Sequence, residues 1–114
     1  MKRDERGFLS DGKPVDRNKY TRAMVENLPV LRAKLGVSQS ELAEMIGVTR
    51  QTISSAECGA RELAWNNFIS LLYVFTQNEA TFPLLTALGV YTPELASLFR
   101  RTDLNKLKKA DSTE

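Results

Sequence analysis

The sequence contains no histidine and only one cysteine, Cys58, and these shortages exclude several kinds of site. Without histidine the chain lacks the usual general base and a common zinc ligand, and a single thiol cannot form a disulfide within the chain. No run of apolar residues approaches the roughly eighteen that a membrane-spanning helix needs, and the first residues, MKRDERGF, lack the apolar core of a secretory signal. We therefore expect a cytoplasmic protein without metal or cofactor and without membrane attachment.

Catalytic arrangements are also missing from the sequence. The acidic pairs Asp4–Glu5 and Glu41–Glu44 have no histidine, metal-ligand cluster or nucleophile motif near them. The composition, with 42% hydrophobic and 26% charged residues among 114, is that of one ordinary soluble domain. The chain is therefore expected not to be an enzyme.

Apolar residues recur at helical spacing along most of the chain, and no stretch reads as a convincing strand. From Tyr20 onward, leucine and methionine return every three or four residues, as on one face of a packed helix. Pro29 interrupts this pattern, so the segment is either one kinked helix, which we prefer, or two helices. Gly36 is expected to end it. The predicted fold is all-α with five or six helices.

Residues 38–59, SQSELAEMIGVTRQTISSAECG, predict two short helices joined by a tight turn. Ser38 and Glu41 have the spacing of a capping box, in which each side chain bonds the backbone amide of the other residue. Gly47 supplies a backbone that accepts positive φ where the first helix ends, and Thr49 is placed to cap the second. A glycine at the end of the segment stops the second helix.

The second of these helices separates apolar from polar side chains. Ile53 and Ala56 are expected to face the core. Four polar residues are expected to face outward: Arg50, Gln51, Ser54 and Ser55.

Over residues 31–59 the chain resembles the helix-turn-helix of the Cro and phage-repressor family, also called Xre-like. The resemblance rests on the SQxELA opening, the turn and helix start GVTRQTIS, and the closing glutamate-x-glycine. It implies a lambda-repressor-like bundle with extra C-terminal helices. It also implies that residues 50–57 form a recognition helix that enters the major groove of double-stranded DNA.

The recognition helix begins with two residues that suit base edges. Arg50 offers a guanidinium fork for O6 and N7 of guanine, and Gln51 offers an amide for N6 and N7 of adenine. In the family, the glutamine at the position of Gln39 binds a phosphate and braces the start of the recognition helix. The predicted DNA-binding residues are Gln39, Arg50, Gln51, Thr52, Ser54, Ser55 and Arg61. The resemblance also implies a structural ion pair between Arg32 and Glu57.

Three regions are predicted: a polar N-terminal arm (1–19), the helix-turn-helix domain (20–78) and C-terminal helices (79–114) that complete the core, with Thr92 and Pro93 beginning the last helix. Residues 63–77, LAWNNFISLLYVFTQ, are apolar on more than one face. Either the C-terminal part of the chain or another subunit must cover them. We expect a homodimer formed through residues 63–99.

The predicted DNA-binding segment has no net charge, since residues 29–62 carry four basic and four acidic groups. The absence of net charge in this segment predicts modest non-specific affinity for DNA. Tight binding to DNA then depends more strongly on a dimer. The leading hypothesis is a dimeric, sequence-specific regulator of transcription on a pseudo-palindromic operator. The alternatives are an antitoxin or autorepressor that also binds a partner protein, and a protein-interaction adaptor that keeps the helix-turn-helix only as a scaffold.

Overall fold

The computed structural model describes residues 15–100, and this part of the chain is helical without any strand. Its elements are α1 (Arg17–Leu35), α2 (Gln39–Ile46), α3 (Arg50–Glu57), α4 (Trp65–Thr76), α5 (Phe82–Ala87) and α6 (Pro93–Arg100). The prediction of an all-α fold with five or six helices is confirmed. Helices α1 to α5 lie in one compact unit, Arg17–Tyr91, and α6 belongs to a second. No helix among the described residues is long and apolar enough to cross a membrane.

The first helix runs through Pro29 as a single element, which confirms the one-helix interpretation. It begins at Arg17, earlier than the pattern from Tyr20 indicated. Gly36 ends it with a φ of 73°, and the Gly36 amide donates to the Arg32 carbonyl at 2.8 Å. The apolar face of the helix is fully buried at Tyr20, Met24, Leu28 and Leu31.

The two helices that follow begin and end where local sequence rules place them. The Glu41 amide donates to Ser38 Oγ at 3.0 Å and the Ser38 amide to Glu41 Oε1 at 2.8 Å, so both halves of the capping box are present. Gly47 takes a φ of 79° at the end of α2. The Thr52 amide donates to Thr49 Oγ1 at 3.2 Å and so caps α3. Helices α2 and α3 pack against each other, and α3 also packs against α1.

Helix α4 is the centre of the core, packed against α1, α2 and α5. Phe68 and Phe75 are fully buried on it, each stabilising the fold by about 1.5–3 kcal/mol. The Trp65 ring stacks on Phe68 with 4.7 Å between ring centroids. The guanidinium of Arg17, at the start of α1, lies 5.1 Å from the Trp65 centroid. Neighbouring helices therefore cover most of the apolar excess of residues 63–77.

Side-chain hydroxyls fix the turns around α5 and α6. The buried Thr81 hydroxyl donates to the Phe75 carbonyl at 2.7 Å, which ties the start of α5 to the end of α4. The Leu95 amide donates to Thr92 Oγ1 at 3.2 Å, and α6 begins at Pro93 as predicted. The predicted continuation of this helix past residue 100 lies outside the described residues, as do residues 1–14 of the predicted arm.

Candidate nucleic-acid interface

Helix α3 presents its first two side chains to solvent and its apolar side to the core. Arg50 and Gln51 are exposed directly after the Thr49 cap. Ile53 and Ala56 are buried, as predicted. In a helix-turn-helix, side chains near the N-terminus of the second helix are those that reach base edges. The two exposed side chains are therefore at the position from which bases can be read.

Arg32 and Glu57, the two residues that the resemblance pairs, lie in contact. Arg32 Nε donates to Glu57 Oε2 at 2.7 Å and Arg32 Nη2 donates to Glu57 Oε1 at 3.2 Å, a two-pronged geometry that fits guanidinium to carboxylate. Arg32 Nη1 also donates to the Val37 carbonyl at 3.2 Å, in the connection between α1 and α2. The arginine thus links α1 to the last residue of α3.

Both members of this pair remain charged at neutral pH. Burial raises the pKa of Glu57, but hydrogen bonds from Arg32 and Gln39, together with the charge of Arg32, lower that pKa by more, and the net shift is downward. The hydrogen bond to Glu57 raises the pKa of Arg32. The carboxylate is therefore a permanent acceptor under physiological conditions.

Gln39 braces the end of α3 and not its start, which corrects what the resemblance implied. Its Nε2 donates to Glu57 Oε1 at 2.8 Å, so the side chain at the beginning of α2 is tied to the last residue of α3. Glu57 thereby accepts hydrogen bonds from both α1 and α2. No hydrogen bond within residues 15–100 uses the Gln39 side-chain oxygen.

The prediction that Ser55 faces outward was wrong, because its residue surface is only 8% exposed. The chain after α3 turns back over it, and the amides of Ala60 and Arg61 donate to the Ser55 carbonyl at 2.9 and 3.3 Å. Its hydroxyl accepts a hydrogen bond from Gln51 Nε2 at 3.5 Å. Ser54, next to it, is half-buried and makes no side-chain hydrogen bond among the described residues.

A groove of about 380 Å³ lies between α3 and the start of α4. Arg61, which is exposed, lines it after the turn that follows α3, and Thr52 lines it from α3 with Oγ1 3.1 Å from Thr49 Oγ1. Glu62 and Asn67 also line the groove, and sequence reasoning assigned neither to the site. Asn67 lies in a segment whose apolar composition indicated core, and only the fold-back of the chain brings it beside α3.

Residues 31–64 match the family model described as Helix-turn-helix, a range that extends from the end of α1 to the residue before α4. No curated protein and no solved structure matches the chain. The match covers the two capped helices, the glycine turn between them and the Arg32–Glu57 contact. The segment is therefore a DNA-binding module of the helix-turn-helix type. The match over residues 31–64 supports the resemblance of this segment to the helix-turn-helix of the Cro and phage-repressor family.

Proposed function

We propose that the chain is a sequence-specific regulator of transcription that inserts α3 into the major groove of double-stranded DNA. The observation that carries this proposal is the exposure of Arg50 and Gln51 at the start of a helix whose far end is fixed. Hydrogen bonds from Arg32 and Gln39 to Glu57 hold that end against α1 and α2. A helix that recognises base edges must be held in place, because a small displacement of the helix breaks its directed hydrogen bonds to the bases.

Arg50 and Gln51 divide the base contacts between them. The Arg50 fork binds O6 and N7 of guanine and the Gln51 amide binds N6 and N7 of adenine, and each pair discriminates against a wrong base by about 1–3 kcal/mol. The side-chain oxygen of Gln39 cannot bind a phosphate, because a phosphate offers no hydrogen-bond donor. The second hydrogen of the Gln39 side-chain amide and the backbone amide at the start of α2 can donate to a phosphate. Thr52, Ser54 and Arg61 supply the remaining phosphate contacts.

The binding of one copy to phosphates is expected to be weak. Glu57 neutralises Arg32, Arg50 is assigned to a base, and Glu62 lies beside Arg61 in the groove. One phosphate neutralised by Arg61 gives a slope of about −0.9 in a plot of log K against log salt concentration. Most of the affinity of a single copy must then come from base contacts.

We also propose that two copies bind a pseudo-palindromic operator whose half-sites are about 34 Å apart. Within residues 63–99, Tyr73 on α4 is 65% exposed and Phe82 on α5 is 51% exposed, so both are available for contact with a second copy. Copurification of a different polypeptide bound to these side chains would favour the antitoxin alternative. An adaptor that keeps the motif only as a scaffold would show no preference for any duplex over random DNA.

Titration of the purified chain with a selected duplex and with random duplex tests the proposal. Replacing both Arg50 and Gln51 with alanine should weaken binding to the selected duplex about 30-fold or more, since two base contacts are lost. Arg100→Ala is the matched control for Arg50, because its side chain is exposed and lies outside both residues 31–64 and the proposed dimer segment 63–99. Equal binding to both duplexes, or unchanged binding by the double variant, would contradict the proposal.

A further inference from the structure

We infer that Ser55 is a positioning residue whose buried hydroxyl holds the Gln51 side chain in place for base reading, and that Ser55 does not itself contact DNA. This inference rests on the proposed function of α3 and deepens it. It assigns to Ser55 a different role from the direct DNA contact that the sequence predicted.

The geometry places the two side chains together and exposes only one of them. Ser55 follows Gln51 by one turn of α3, so the two lie on the same side of the helix. Gln51 Nε2 donates to Ser55 Oγ at 3.5 Å, and Gln51 is exposed while Ser55 is 8% exposed. Ser55 forms part of the wall of the groove between α3 and α4. Its hydroxyl is within reach of Gln51, and the residue as a whole is buried.

Ser55 is itself held in a fixed position. Its carbonyl accepts the amides of Ala60 and Arg61, and the adjacent Ala56 is buried. Gln51, by contrast, is an exposed side chain with several rotatable bonds. A side chain that is already held in its bound orientation loses less rotamer freedom on binding, which favours the complex.

The hydrogen bond between Gln51 and Ser55 leaves free the Gln51 atoms that adenine recognition requires. The Gln51 amide has two Nε2 hydrogens and one oxygen, and Ser55 accepts one of the hydrogens. The second hydrogen can donate to N7 of adenine while the oxygen accepts from N6. Loss of the Ser55 hydroxyl should therefore reduce discrimination at the base pair that Gln51 reads, with little effect on affinity for other sequences.

The test uses the full chain, a duplex selected from a random library and duplexes that differ from it only at the base pair read by Gln51. Dissociation constants are measured for the wild type, Ser55→Ala, Gln51→Ala and the double variant. Ser40→Ala is the matched control, because Ser40 is an exposed serine of α2 that makes no side-chain hydrogen bond among the described residues and is not assigned to DNA binding. We expect Ser55→Ala to lower the preference for adenine about 3- to 10-fold and Ser40→Ala to leave it unchanged.

In the Gln51→Ala background, Ser55→Ala should have no further effect on that preference. Ser55→Cys keeps an atom at the γ position but supplies only a weak acceptor, so it should lose the preference as Ser55→Ala does. An equal loss of affinity for all duplexes, or full additivity of the two alanine substitutions, would overturn the positioning role. If Gln51→Ala does not alter the preference for adenine, the proposed function of Gln51 fails as well.

Discussion

Replacing Glu57 with alanine removes the acceptor of three hydrogen bonds, two from Arg32 and one from Gln39. Breaking a fully buried ion pair by removing one partner costs roughly 3–5 kcal/mol, whereas exposed pairs contribute about 0.2–1 kcal/mol. The side chains of Arg32 and Glu57 are 20% and 9% exposed, so the pair lies between these limits. We expect Glu57→Ala to lower the free energy of unfolding by about 2–3 kcal/mol and Tm by roughly 10 °C.

Urea unfolding followed by circular dichroism measures this change. Glu44→Ala is the matched control, because it removes an exposed glutamate of α2 that has no ion-pair partner among the described residues. A double-mutant cycle with Arg32→Met isolates the pairwise energy, which should exceed about 1 kcal/mol. If Glu57→Ala costs no more than Glu44→Ala, the contact does not fix α3 and the argument for a fixed recognition helix is refuted.

Three further outcomes are expected. The pKa of Glu57 is lower in the folded chain, so the stabilisation by its carboxylate is present above the unfolded pKa of about 4.3 and is lost as pH falls through the folded pKa. The difference in free energy of unfolding between the wild type and Glu57→Gln, measured with urea, should therefore shrink below about pH 4.3. A constant difference would contradict the pairing. Arg61→Ala should reduce the salt slope of DNA binding by about 0.9 without changing base preference, and an unchanged slope would remove Arg61 from the phosphate contacts. Replacing both Tyr73 and Phe82 with serine should convert a dimer to a monomer in analytical ultracentrifugation, and a persisting dimer would place the contact elsewhere.

Local rules predicted the ends of the helices around the motif well. Ser38, Gly47 and Thr49 act on backbone groups within a few residues of themselves, so their roles can be read from spacing alone. The same holds for Thr92 at the start of α6. The helical pattern also identified the buried faces of α1 and α3, because a helix repeats its contacts every three or four residues.

Features that arise where the chain folds back onto an earlier helix could not be predicted from local spacing. Ser55 was expected outside because spacing along α3 does not show that the following residues turn back over it. For the same reason Asn67 was missed beside α3. The apolar excess of residues 63–77 also did not indicate which elements pack against it. In the structure α1, α2 and α5 supply most of that packing. Exposure of Tyr73 and Phe82 could be recognised only after this packing was known.

Selection of bound duplexes from a random library, with the wild type and Gln51→Ala compared in parallel, tests base reading by α3 most directly. The wild type should enrich a pseudo-palindrome with half-sites about 10 base pairs apart, each containing a guanine for Arg50 and an adenine for Gln51. Gln51→Ala should lose the preference for adenine and keep the preference for guanine. Enrichment of no sequence by the wild type, or the same consensus from both proteins, would contradict base reading by this helix.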